Sequence, residues 1–93
     1  MLELDQDLQL KEEFILYQLE VGEGKAWLFN IENGDSFKLN ETSYDILSMF
    51  DGKRSIGEIR KCIADKYQDI DPGEISGDFD ELVEEMIRNN IFK

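Results

Sequence analysis

The hydrophobic period of this chain changes once, at Asn40, and that change limits the fold more than any other feature. Before it, short apolar runs are separated by turn residues. Residues 13–20, EFILYQLE, are rich in aromatic and branched side chains and predict a strand. A glycine turn follows at residues 21–24, VGEG, and then a second run, KAWLFNI, at residues 25–31. Glu32-Asn33-Gly34-Asp35 closes that run, and Asn-Gly between two apolar runs is a strong hairpin signal because both residues tolerate positive φ. Ser36, Phe37, Lys38 and Leu39 then alternate polar and apolar, the period of a half-buried strand. The first half predicts a three-stranded antiparallel meander, with its third strand over residues 35–39.

After Asn40 the period becomes helical. Asn40 or Thr42 can cap a short helix carrying Tyr44, Ile46, Leu47, Met49 and Phe50, with Asp51-Gly52 expected to end it. Ser55 and Glu58 form an S-x-x-E capping box that opens a second helix with Ile56, Ile59, Ile63 and Tyr67 on one stripe. Cys62, beside that stripe, is expected to be a small core residue. Asp71, Pro72 and Glu74 open a third helix, whose Ile75, Phe79, Leu82, Val83, Met86, Ile87 and Ile91 give a wide apolar stripe. Asn89-Asn90 marks its end. The order β-β-β-α-α-α is an α+β domain with sheet and helices segregated. Ninety-three residues make one such domain, over residues 13–93, preceded by a polar arm over residues 1–12 with isolated leucines.

Composition narrows the chemistry. There is no histidine and Cys62 is alone, so Cys/His zinc sites and histidine-activated nucleophiles are excluded. Seven scattered glycines match no phosphate-binding fingerprint. The expectation is a protein without catalytic activity or cofactor. Ten bases against 22 acids leave a net charge of −12, which opposes binding to nucleic acid or to an anionic membrane. No apolar run reaches the roughly 18 residues of a membrane span, the start lacks the basic and apolar regions of a secretory signal, and a lone thiol suits a cytoplasmic protein.

The charge is also segregated. Residues 53–66 hold five bases and two acids, whereas residues 69–85 hold eight acids and no base. The plain reading of the acidic segment is a solvated helix face, with acids favoured near the helix N-terminus. The sharper one is a docking surface for a basic partner. A calcium loop does not fit, because Asp69, Asp71 and Glu74 lack the twelve-residue spacing and closing ligands. A winged-helix DNA reader is excluded because its reading helix would carry the acidic segment.

The run from Leu28 to Ile59, LFNIENGDSFKLNETSYDILSMFDGKRSIGEI, resembles the family of the pyrroloquinoline quinone synthesis protein D, also called the recognition element of ribosomally made, modified peptides. The resemblance is carried by Leu39-Asn40-Glu41-Thr42, Ser43, Ile46, Leu47, Asp51-Gly52 and Lys53-Arg54-Ser55-Ile56, with the acidic third helix downstream. It covers roughly residues 14–91. It implies a winged-helix-like module that holds the leader of a precursor peptide and presents it to a modifying enzyme, such as a leader peptidase and cyclase or a radical SAM protein. The leader is expected to add as a strand beside the third strand, in the groove against the third helix.

The residues assigned to that groove are Asp35, Ser36, Phe37, Lys38 and Leu39 on the strand and Phe79, Asp80, Leu82, Val83, Met86 and Ile87 on the helix. An exposed edge presents unpaired N–H and C=O groups that a peptide strand can satisfy, while flanking grooves choose side chains. The alternative for Phe37 and Leu39 is an ordinary inward-facing role. Trp27 and Phe29 fall on the face opposite Leu28, so both faces of the second strand are apolar; either the arm or a partner covers the second face, and partial cover by residues 1–12 is expected. A monomer or weak dimer is expected. The competing function is an acidic structural or regulatory subunit that binds a folded enzyme rather than a leader.

Overall fold

The computed structural model describes residues 4–20 and 25–93, and the expected turn at residues 21–24 lies outside them. Among the described residues eight elements follow in order: β1 (Asp7–Gln9), β2 (Phe14–Glu20), β3 (Lys25–Asn30), β4 (Ser36–Leu39), α1 (Glu41–Ser48), β5 (Asp51–Ser55), α2 (Ile56–Lys66) and α3 (Pro72–Arg88). The three expected strands are β2, β3 and β4, an antiparallel sheet in that order. The three expected helices follow it, so the α+β architecture stands as read from the sequence.

The turn between β3 and β4 is organised by Asn30, which is buried. Its side-chain oxygen accepts the Glu32 N–H at 2.9 Å, and Gly34, at φ +82°, lets the loop turn back. Period-2 alternation then puts Ala26, Leu28 and Leu39 on the inner face of the sheet. The helices cover that face. Ile56, Ile59 and Ile63 of α2 and Ile75, Phe79, Val83 and Met86 of α3 recur at helical spacing and join the same core. Each fully buried aliphatic side chain contributes about 1.5–3 kcal/mol relative to exposure.

Caps sharpen the helix ends. Asn40, not Thr42, caps α1 by accepting the Ser43 N–H at 2.7 Å. Ser55 and Glu58 complete the expected capping box, and Asp71 accepts the Gly73 N–H at 2.8 Å with Pro72 at the first position of α3. At the other end of α3, Asn90 adopts φ 56°, its N–H donates to the Ile87 carbonyl, and the Ile91 N–H donates to the Met86 carbonyl. This pattern closes the helix and turns Ile91 into the core.

Three expectations are corrected. The described part of the arm does not line the hollow on the outer face of the sheet: β1 pairs with β5, and Leu8 is buried in the common core. The Gly57 N–H donates to the Leu4 carbonyl, and Leu10 bridges to Phe92, so the segment is tied down on both sides. Asp51-Gly52 does not end α1, which stops at Ser48; it opens β5 instead, with Gly52 at φ +80° and the Asp51 carboxylate accepting the Lys53 N–H. That hydrogen bond holds the Asp51 carboxyl below its ordinary pKa. Cys62 is exposed, because it sits one residue before buried Ile63 and is turned about 100° from it.

Candidate functional site

The β2-β3-β4 sheet is open along β4. In an antiparallel pair, residues alternate between those that exchange backbone hydrogen bonds with the partner and those whose N–H and C=O point away. The Asn30 N–H donates to the Asp35 carbonyl at 2.8 Å, which sets the phase of the ladder. With Leu28 opposite Phe37 and Ala26 opposite Leu39, those two β4 residues bond inward. Ser36 and Lys38 direct their backbone groups outward. Among the described residues no other strand pairs with β4.

The edge runs into a recess. Beginning at Asn40, the residue after β4, a hollow of ≈ 330 Å³ lies between α1 and α3. Asn40, Thr42, Ser43 and Ile46 form one wall, and Asp78, Glu81, Leu82 and Glu85 form the other. Three carboxylates surrounding one leucine, with hydroxyls and an amide opposite, make a site for a strand that carries a base and an apolar side chain. Helical spacing explains the wall: Asp78 and Glu85 lie four before and three after Leu82, on the same face.

The structure therefore brings together only part of the residues assigned from sequence. Ser36 and Lys38 are exposed, with outward backbone, and Leu82 lines the hollow. Phe37 is half-buried and Leu39 buried, both on the inner face. Asp35 spends its backbone inside the turn, its N–H on the Asn33 side chain and its carbonyl on Asn30. Phe79, Val83 and Met86 are core residues, Val83 with no exposed surface. Asp80 faces α2, where the Arg60 guanidinium donates two hydrogen bonds of 3.1 Å to its carboxylate. Ile87 is exposed, but it borders a separate hollow of ≈ 190 Å³ with Gln6, Leu8, Asn90, Phe92 and Lys93. The hollow also takes in residues not assigned from sequence: Asn40, Thr42, Ser43 and Ile46 at the cap and start of α1 and Asp78, Glu81 and Glu85 on α3. The helical neighbours of Leu82 were available as a signal for the acids; nothing local signalled that the start of α1 faces them.

No group of three or more metal-ligating side chains comes together among the described residues, and no described helix is long and apolar enough to cross a membrane. One short polar network lies away from the edge: Asp45 accepts hydrogen bonds from the Tyr67 hydroxyl and from Lys66, the latter at 2.8 Å. Burial, reinforced by Asp45, pushes the Tyr67 phenol up to about 12.

These features define a small α+β domain whose helices cover one face of a three-stranded sheet and whose last sheet strand, β4, has an outer edge without a partner among the described residues, beside an acidic recess. The chain belongs to the coenzyme PQQ synthesis protein D (PqqD) family, whose model matches residues 26–91, from β3 through α3, with β2 outside the match. Its fold is also that of the solved structure described as TbiB1 in complex with the TbiA(beta) leader peptide, with a TM-score of 0.70 at 14% identity over 91% of this chain and 94% of that one. No curated protein matches the sequence.

Proposed function

We propose that this chain is a non-catalytic peptide-recognition protein. It captures the leader of a ribosomally made precursor peptide by strand addition to β4 and presents it to a modifying enzyme. The observation that carries this reading is the outward backbone of Ser36 and Lys38, continuous with the recess of Asp78, Glu81, Leu82 and Glu85. A peptide strand on that edge gains main-chain hydrogen bonds, and the recess selects its side chains. Membership of the family and the fold shared with TbiB1, a protein solved with a leader peptide, support it. The absence of histidine from the sequence supports a role in binding rather than acid–base chemistry, and the single free thiol supports a cytoplasmic setting.

A leader segment of roughly 10–20 residues is expected to bind with Kd between about 10 nM and 10 μM, the range of a modest strand-plus-groove interface. Calorimetric titration with a synthetic leader measures it. No heat and no spectral shift at protein and peptide concentrations of about 100 μM, well above that range, overturns the reading.

A further inference from the structure

The outer face of the sheet, away from the helices, carries a patch that leader capture at the β4 edge leaves unused. Cross-strand pairing puts Ile15 opposite Phe29, Tyr17 opposite Trp27, and Ser36 opposite Phe29 on that face. Ile15, Tyr17 and Phe29 are 47%, 52% and 40% exposed, and with Trp27 and Ser36 they line a hollow of ≈ 500 Å³. Contiguous exposed aromatics on a small acidic protein mark an interaction surface.

Area, charge and position identify the occupant. Three strands about 4.8 Å apart and some five residues long present roughly 200 Å². A stable interface buries about 800 Å² per partner, so any occupant of this face must also contact what lies beside it. Each copy also carries −12, which opposes self-association and favours a basic partner. The patch adjoins the β4 edge. Ser36 and Lys38 stand on it by their side chains, opposite Phe29 and Trp27, and face the open edge by their backbone. A leader strand added to β4 would place every second side chain on the same face, widening it to four strands.

We propose that this outer face is the docking surface for the enzyme that modifies the captured peptide, a folded partner presenting an apolar contact and carrying net positive charge. The proposal rests on the leader-binding reading above. Domain and leader then form one composite surface, so the loaded domain binds the enzyme more tightly than the empty one. By linkage the enzyme tightens leader binding by the same factor, about 5–150-fold where such couplings have been measured.

The test uses the full chain, a synthetic leader that it captures and the enzyme that modifies the corresponding precursor. Tyr17→Ser/Phe29→Ser and, separately, Ile15→Lys are expected to keep the leader Kd within about two-fold of wild type while weakening enzyme binding about ten-fold or more, as expected of apolar anchors at an interface centre. Oxidative footprinting of the wild-type protein gives an independent readout: Tyr17 and Trp27 should become protected when enzyme is added to the leader-loaded domain. Unchanged enzyme affinity in both variants, or unprotected Trp27 in the ternary complex, overturns the docking surface. So does protection that appears on raising the concentration of the protein alone, which would make the occupant a second copy. Protection by leader alone, or loss of leader affinity in the variants, assigns the face to the leader and also overturns it, while leaving leader capture intact. A wild-type protein that takes no leader overturns the underlying reading instead.

Discussion

The backbone N–H of Asn30 donates to the carbonyl of Asp35 at 2.8 Å, and this bond decides which residues of β4 face outward. Shifting the ladder by one residue would turn Phe37 and Leu39 outward by their backbone and by their side chains, exposing two core residues. In the observed register the edge is polar at its tips and apolar behind. The backbone is free at Ser36 and Lys38, while Leu28 and Ala26 hold their neighbours from within.

Proline at position 38 removes one outward donor without touching the ladder. Lys38→Pro is expected to weaken leader binding about 3–10-fold, the worth of one net hydrogen bond, with little change in thermal stability. Phe37→Pro, which cuts a ladder bond opposite Leu28, is expected to destabilise the fold itself. Isothermal titration and thermal melts on the two variants separate the cases; equal leader affinity in Lys38→Pro and wild type would show that the peptide lies elsewhere.

The recess predicts a charge effect on rate. Reversing Asp78, Glu81 and Glu85 to lysine changes the wall by six charges without removing Leu82. Association of a leader bearing bases is expected to slow several-fold at low salt, because rim charges chiefly steer encounter. The difference should shrink at 0.5 M salt, where screening acts within about 4 Å. Stopped-flow association at the two salt concentrations checks both statements.

Asp80 supplies the contrast. Its carboxylate is engaged by Arg60 at 3.1 Å, and both side chains are about a third exposed. Asp80→Ala is expected to cost about 0.2–1 kcal/mol of stability, as surface ion pairs do, and to leave leader association unchanged. Urea unfolding and the same stopped-flow assay test this. Slowed association in the variant would mean that the acidic helix steers as a whole rather than through its recess.

Leu8→Ala tests whether the N-terminal segment belongs to the domain. Leu8 is buried with the core of α2 and α3, so truncating it is expected to cost about 2–4 kcal/mol. Chemical denaturation measures the loss. A cost under about 0.5 kcal/mol, the level of an ordinary surface substitution, would make residues 1–12 a dispensable arm.

The phenol of Tyr67 predicts a pH dependence. Its pKa is raised from the ordinary 10.0 to about 12 by burial and by its hydrogen bond to Asp45, so folding favours the protonated form. The stability this contributes is fully present below about pH 10 and is lost as pH rises through about 12. The urea midpoint of wild type should therefore exceed that of Tyr67→Phe at pH 8, and the gap should narrow at pH 11.5. A gap independent of pH would assign the effect to packing.

Residues acting on their near neighbours were legible without a structure. The switch from period 2 to period 3.6 at Asn40, the Ser55–Glu58 capping box and the Asp71-Pro72 start are set by contacts a few positions apart, and each appears where expected. Asn33-Gly34 likewise marks the turn that leads into β4. The ordered motifs from Leu39 to Ile56 were enough to indicate the family. What the sequence by itself determined is thus the type of six of the eight described elements, most of their ends, and which faces are apolar.

Tertiary structure decided where those faces go. Asp51–Ser55 has no apolar alternation and becomes a strand only because β1 lies beside it, a pairing between residues more than forty positions apart. Val83 and Leu82 carry similar side chains one position apart, yet packing in the common core buries the first and leaves the second on the wall of the recess. Asp80 and Asp78 differ only by which neighbour α3 presents them to, Arg60 or the open hollow. A helical stripe gives an angle about its own axis and nothing about what stands opposite. The candidate site, made of a strand edge, the start of one helix and the middle of another, exists only once three distant segments have been packed on one core.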